Sequence, residues 1–553
     1  MKGGTRRAVL TGVVVSMIAL VAFGSAGWAP GAKDLNHSDR IDGSAVTTAH
    51  ECTICRSCTS FATGKLATIG GYTMCGHTCD GNCDFTLRVV PGGTHEPGEV
   101  YRIDWSGIPG GFEHEIRAEI PQAPVTCTYF HIECPIGNEH QVFFGENTCP
   151  TRKELQTLSP EEALIDWTHA AALALQRGKT AREAIKALGD LIEEYGLGGA
   201  GGLACGESFL IADPEEAWCM EIPGYTNEWV AQRIPDDHVC PHANRMRIGE
   251  IDLDDPDNFM ASPNLIKNAI EKGLYDPEKD GPFNFEKVYS ANRFAWSSRR
   301  REWRMFSLLC PSKKWNPEAI TYPFSVRPDE RVSPQWWINN IWRDHLEGTP
   351  YDLTRGIPAG PFGCPMRPSI SNLTFERSIC TPRTSYSWVA QARSWLPDPV
   401  GGLIWFGLDC PHSTCYTPFY VGISETPESW RIGDFTEFSE DSARWCFQAI
   451  DSFSWLRFNE INADVRAVFD GLEDSAFTMQ PYIDKRASEL YDADPLSARR
   501  FLTQYSCNRA LEAEKAAQDL FYLLMAKYAD GRPTTTVSEE WMEMLKAVPV
   551  PGD

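Results

Sequence analysis

Strand-like sequence, interrupted once by a pair of helical segments and closed by a long helical tail, is the pattern that most constrains this fold. Residues 58–84 are short stretches broken by Gly64, Gly70, Gly71, Gly76 and Gly81, which read as strands and tight turns. Residues 100–120 and 125–144 continue that texture. At 159–177 and 180–195 the apolar spacing becomes helical, with Ser159 and Thr180 as N-caps and Gly196 or Gly198 as the stop. Strands return near 208–212, 217–222 and 228–232, and residues 385–422, rich in Tyr, Trp, Phe and Val, add more sheet. From residue 441 helices dominate, most clearly at 501–528. Sheet and helix arranged in blocks imply an α/β (α+β) chain in which helix layers flank sheets.

No internal repeat or long low-complexity linker divides the 553 residues, so one large domain is expected. Ahead of it, Lys2, Arg6 and Arg7 precede an apolar run at 8–23 and the small residues Gly24, Ser25, Ala26 and Gly27. That is the pattern of an export signal, or of an N-terminal anchor, over residues 1–27. At 16 residues the apolar run is short for a membrane span. Residues 28–57 are polar, rich in small residues and aperiodic, as a spacer or propeptide would be. The main domain is then expected over 58–470 and a helical C-terminal extension over 471–553.

A net charge of −24 argues against nucleic acid or an anionic membrane as partner. All 19 cysteines follow the leader, which points to an oxidising compartment and several disulfides. The odd count leaves at least one thiol unpaired. A secreted or periplasmic protein is expected, touching a membrane only if its leader stays attached.

Cys58 opens the run Cys58-Thr59-Ser60-Phe61-Ala62-Thr63-Gly64-Lys65 directly behind the spacer. Cleavage before it would place a thiol and a free α-amine on one residue. With reference pKa values of about 8.5 and about 7.7–8.0, the amine can accept the thiol's proton near neutral pH. One residue would supply both nucleophile and general base.

That run, continued through Leu66-Ala67-Thr68, resembles the mature start of the dipeptidase A family of cysteine-type N-terminal-nucleophile hydrolases, relatives of the bile-salt and penicillin V amidases. The likeness continues through Gly71-Tyr72-Thr73-Met74, His77-Thr78-Cys79-Asp80, Gly137-Asn138-Glu139-His140, residues 229–237 and Ala243-Asn244-Arg245. It extends to residues 254–259, 348–354, 359–363 and 386–397, so that it spans roughly 58–470. The resemblance implies a four-layer αββα sandwich and a Cys58 exposed by autocatalytic cleavage. It implies that Asp80 hydrogen-bonds the α-amine, and that Asn138 and Asn244 match asparagines lining the site of the related amidases. One of these would donate to the oxyanion, a contribution of about 2.7–4 kcal/mol. Arg301 matches the later arginine of the set. Neither cofactor nor metal is implied. The family pattern most often places arginine three residues before the aspartate, where this chain has His77. Arginine is a permanently charged donor fork, whereas histidine can be neutral at pH 7.

Each residue also has a plainer reading. Cys58 could be half of a disulfide, and Cys52 competes as first residue, six positions further from Asp80. Cys52, Cys55 and Cys58 form C-x2-C-x2-C, but the completing cysteine of an iron–sulfur motif is absent. Asp80 could serve a turn before Gly81, Asn138 could cap one, Asn244 could lie on the surface, and Arg299-Arg300-Arg301 could be a solvated face. Residues 252–257 lack the glycine and closing glutamate of a calcium loop. The expected activity is hydrolysis of dipeptides or short peptides. The alternatives are an amidase acting on acyl-amino acid bonds and an inactive, disulfide-rich binding protein.

Overall fold

The computed structural model describes residues 58–105, 115–199, 205–366, 376–531, 537 and 539–547. All belong to one compact unit, Cys52–Asp553. The expected leader, most of the expected spacer, and the cysteines Cys52 and Cys55 lie outside the described residues.

Two antiparallel sheets of six and eight strands carry the domain. In chain order their strands are β1 (Thr59–Thr63), β2 (Thr73–Asp80), β3 (Arg88–Val90), β4 (Tyr129–His131), β5 (Gly137–Asn138), β6 (Phe143–Pro150) and β7 (Cys205–Ala212). They continue as β8 (Ala217–Ile222), β9 (Val230–Ile234), β10 (Val239–His242), β11 (Phe259–Ala261), β12 (Thr384–Ala392), β13 (Leu403–Leu408) and β14 (Thr417–Tyr420). The six-stranded sheet runs β10-β1-β2-β12-β13-β14, and the eight-stranded sheet β11-β9-β8-β7-β6-β5-β4-β3.

Alternation along the strands explains why the sheets stack. Val142, Phe144, Phe209, Ile211, Trp218 and Met220 join one apolar core with helices α1 (Trp167–Arg177) and α2 (Ala181–Tyr195). Their neighbours Phe143, Leu210 and Cys219 belong to the core shared with the six-stranded sheet. Burying each large apolar side chain stabilises by about 1.5–3 kcal/mol, so a one-residue slip would forfeit both faces at once. The sheets approach closely at Gly145, where an added Cβ would lie 2.9 Å from Gly76 O and 3.3 Å from Cys75 Sγ.

The outer face of the six-stranded sheet is covered by α4 (Ala443–Ser454), α5 (Phe458–Ala493) and α6 (Pro495–Lys527), which follow α3 (Trp296–Leu309) in the chain. Phe477 of α5 stacks on Trp405 of β13 at 3.8 Å between ring centroids. Glu473 accepts from Arg343 Nη2 at 2.7 Å and from Tyr416 N at 3.0 Å, fixing α5 to the domain. The result is the expected αββα order of layers. α5 runs across the position expected to separate domain from extension. Among the described residues no helix is long and apolar enough to cross a membrane.

The second helix of the early pair is as expected. Thr180 accepts from Glu183 N, and Gly196 closes the helix with φ of 69°. The first begins at Trp167, not near Ser159, because Ile165–Asp166 pairs with Leu197–Gly199 and Asp166 becomes the N-cap. Residues 252–257 fold as turns closed by their own hydrogen bonds, among them Asp254 N to Asp252 Oδ1 at 3.1 Å.

Candidate active site

β1 and β2 place the first described residue beside the expected acid. Thr59 pairs with Thr78 and Ser60 with His77, so the period of two puts Cys58, Ser60, His77 and Cys79 on one face. The thiols of Cys58 and Cys79 and a ring nitrogen of His77 lie within 4.8 Å of one another, all buried. The two ring nitrogens of His77 make no hydrogen bond, and Nε2 lies 3.6 Å from Glu146 Oε2. Tyr386 and Trp388 stand edge-on to the imidazole at 6.2 and 6.4 Å.

Arg301 arrives from α3. Its Nη1 donates to the Cys58 carbonyl at 2.6 Å and to Thr59 Oγ1 at 3.0 Å. Its Nη2 donates to Asn244 Oδ1 at 2.9 Å. The basic run is therefore no solvated face, since Arg300 is 6% exposed and Arg301 only 2%. Beside it Arg245 and Arg247 both engage the buried Glu302. Burial and the neighbouring Arg377 pull the Arg301 guanidinium below its ordinary value, against Asp80 and Cys58.

Asp80 ends β2, 2% exposed. Thr384 Oγ1 donates to its Oδ1 and Arg377 Nη2 to its Oδ2, each at 2.6 Å. Burial pushes the carboxyl upward, Arg377 opposes that, and the nearby Cys58 thiol adds to it. Arg377 thus brings to Asp80 the guanidinium that the sequence lacks three residues earlier. Nothing local signalled it, because 297 residues separate the pair.

The three asparagines divide. Asn138, expected in the site, is committed to its own turn and to the end of α1. Its Nδ2 donates to Leu175 O at 2.9 Å and Gly178 O at 2.7 Å, and its Oδ1 accepts from His140 N and Val142 N. Both amide protons and the oxygen are used, which removes it from the oxyanion role. Asn244 is brought in: φ of 47°, a conformation asparagine tolerates, turns it toward Arg301, and its Nδ2 donates to Thr148 O at 3.0 Å. Asn147, not expected, donates from Nδ2 to Ser60 Oγ, while its buried Oδ1 has no partner. Only tertiary packing brings it there, 87 residues from Ser60.

Two further acids lie close. Burial first, then Cys58 and Glu207, raise Glu146 well above the usual carboxylate range, and burial does the same to Glu207. Several buried thiols are not halves of disulfides, contrary to expectation. Cys75 donates to Leu210 O at 3.1 Å, Cys240 to Phe324 O at 3.1 Å and Cys310 to Arg327 O at 2.9 Å. They behave as small apolar groups with a weak donor.

The family model described as Peptidase family C69 matches residues 57–470. A probable dipeptidase of Latilactobacillus sakei is 29% identical over 262 residues, 47% of this chain and 51% of its own length. Another, of Salmonella dublin, is 29% identical over 262 residues, 46% of this chain and 54% of its own. Dipeptidase A of Lactobacillus helveticus is 26% identical over 392 residues, covering 68% of this chain and 77% of its own. The chain thus spans about half the length of the first two relatives. With three quarters of its residues inside the match, and an αββα sandwich with a cysteine at the head of its first strand, this chain belongs to peptidase family C69.

Proposed function

We propose that the protein is an exported cysteine-type N-terminal-nucleophile hydrolase that cleaves dipeptides or very short peptides. The observation that carries this reading is the convergence of Arg301, Asp80 and His77 on Cys58, the residue at which the family match effectively begins. The relatives' names, probable dipeptidase and dipeptidase A, support the substrate class.

Cleavage of the Ser57–Cys58 bond liberates the α-amine. Asp80 keeps a second lone pair on each carboxylate oxygen beyond Arg377 and Thr384, so it can accept from that amine and aim it. The amine takes the thiol proton, directly or through one water, and the thiolate attacks the scissile carbonyl. Asn244, oriented by Arg301 and Thr148, donates to the oxyanion, with Asn147 beside it on the facing sheet. The protonated amine gives its proton to the leaving group, and water activated by the same amine then hydrolyses the thioester. Arg301 holds the Cys58 carbonyl and with it the backbone of the nucleophile. His77 lies near enough to assist the thiol proton.

A panel of dipeptides and acyl-amino acids tests the substrate class. The reading requires dipeptides to be turned over faster, with no turnover by Cys58→Ala. Preference for acyl-amino acids would move the protein to the amidase side of the same chemistry.

A further inference from the structure

A second buried group of thiols and imidazoles lies apart from Cys58. His345, Cys380, Cys410 and His412 come from three segments of the chain and are at most 3% exposed. The Sγ atoms of Cys380 and Cys410 are 3.5 Å apart. His412 Nδ1 lies 3.5 Å from Cys380 Sγ and 3.1 Å from Cys410 Sγ. A ring nitrogen of His345 lies within 4.8 Å of both the Cys380 thiol and a nitrogen of His412.

Both imidazoles turn their far side to a carboxylate. His345 Nδ1 is 3.2 Å from Glu347 Oε1, and His412 Nε2 is 3.0 Å from Asp451 Oδ1. The remaining nitrogen of His345, Nε2, is buried without a hydrogen-bond partner. We infer that Cys380, Cys410, His345 and His412 form a tetrahedral site for one structural zinc ion.

Donor chemistry and spacing agree. Zinc–sulfur and zinc–nitrogen bonds of about 2.3 and about 2.0 Å in a tetrahedron require ligand atoms about 3.3–3.8 Å apart. The three separations among Cys380, Cys410 and His412 fall at or just below that range, and a His345 nitrogen stands within 4.8 Å of Cys380 and His412. Two thiolates with two imidazoles suit zinc; Glu347 hydrogen-bonds His345 Nδ1 and so orients that ring, and Asp451 Oδ1 stands 3.0 Å behind His412 Nε2. A Cys380–Cys410 disulfide would consume both sulfurs and leave both inward nitrogens without a partner.

The ion has a place in the architecture. Cys380 sits between Arg377 and Thr384, the two residues that hold Asp80, and its amide donates to Asp344 O at 3.1 Å. Zinc would pin this segment to the His345 loop and the Cys410 turn, and so hold the clamp on Asp80 in place. The four ligands fill the coordination sphere, so the ion is structural. The inference does not rest on the hydrolytic reading.

The test is metal analysis of the untagged full chain from zinc-replete medium, after gel filtration. One zinc ion per chain is expected, retained in Cys58→Ser and lost in the double variant Cys380→Ser, Cys410→Ser. Cobalt substitution of the unmodified chain should give thiolate-to-cobalt charge-transfer bands and the intense visible absorption of a tetrahedral ion, a readout that stands even if the double variant fails to fold. A folded chain without stoichiometric metal would overturn the inference. So would a Cys380–Cys410 disulfide in a non-reducing peptide map, or metal lost with Cys58 and kept without Cys380 and Cys410.

Discussion

Among the described residues, two of the buried constellations of cysteine and histidine are built from the same residue types in contrasting arrangements. Around Cys58 the arrangement is lopsided: one imidazole with neither nitrogen hydrogen-bonded, two guanidiniums, and one carboxylate held by Arg377 and Thr384. Around Cys380 and Cys410 it is balanced, with two thiols between two imidazoles and a carboxylate behind each. On the proposed reading, asymmetry leaves the Cys58 thiol poised to react, whereas closure around a centre suits holding an ion. The two are joined by one short segment, since Arg377 and Thr384 reach the first while Cys380 belongs to the second.

The largest effect that separates them is at Cys58, the proposed nucleophile. Cys58→Ala should lower dipeptide hydrolysis by at least about 10⁴-fold, by analogy with removal of other covalent nucleophiles, and leave the melting temperature nearly unchanged. A residual rate within tenfold of wild type would erase the distinction. Next is the clamp shared by both regions. Arg377→Gln leaves the buried Asp80 charge without its partner and should cost about 3–5 kcal/mol in denaturant unfolding, with activity falling as well.

The asparagines sharpen the boundary of the reactive region. Asn244→Ala should reduce kcat by about 10²–10³-fold, as loss of an oxyanion donor does. Asn138→Ala should instead cost about 1–3 kcal/mol of stability, with kcat per folded molecule intact, because its hydrogen bonds hold its own turn and the end of α1. Equal kinetic effects at both positions would contradict the division drawn between them.

The smallest expected effect is on pH dependence. Glu146 is raised well above the usual carboxylate range by burial, Cys58 and Glu207. The stability contributed by its neutral form is complete below the ordinary carboxylate value and is lost as pH rises toward the raised one. Melting curves of Glu146→Gln should therefore decline less between mildly acid and mildly alkaline pH than those of wild type. Parallel curves would place the titration elsewhere.

Much of this was legible in the residues. The blockwise change from strand to helix foretold sheets flanked by helix layers, and Thr180 with Gly196 marked α2 at both ends. Cys58, Asp80, Asn244 and Arg301 are brought together because β1, β2, the turn after β10 and α3 meet there. Asn138 misled because its neighbours resembled a family block, while its side chain serves the turn between β5 and β6. Arg377 and Asn147 were invisible for a different reason: their partners lie 297 and 87 residues away, and only tertiary packing joins them. The second constellation was hidden likewise, since only Cys410 and His412 are close in sequence.

Intact-mass and N-terminal sequencing of the active protein from its natural host tests the central claim most directly. The mature, hydrolysing chain should begin at Cys58 with an unblocked α-amine. Full activity in a chain whose Cys58 nitrogen is still held in a peptide bond to Ser57 would contradict it.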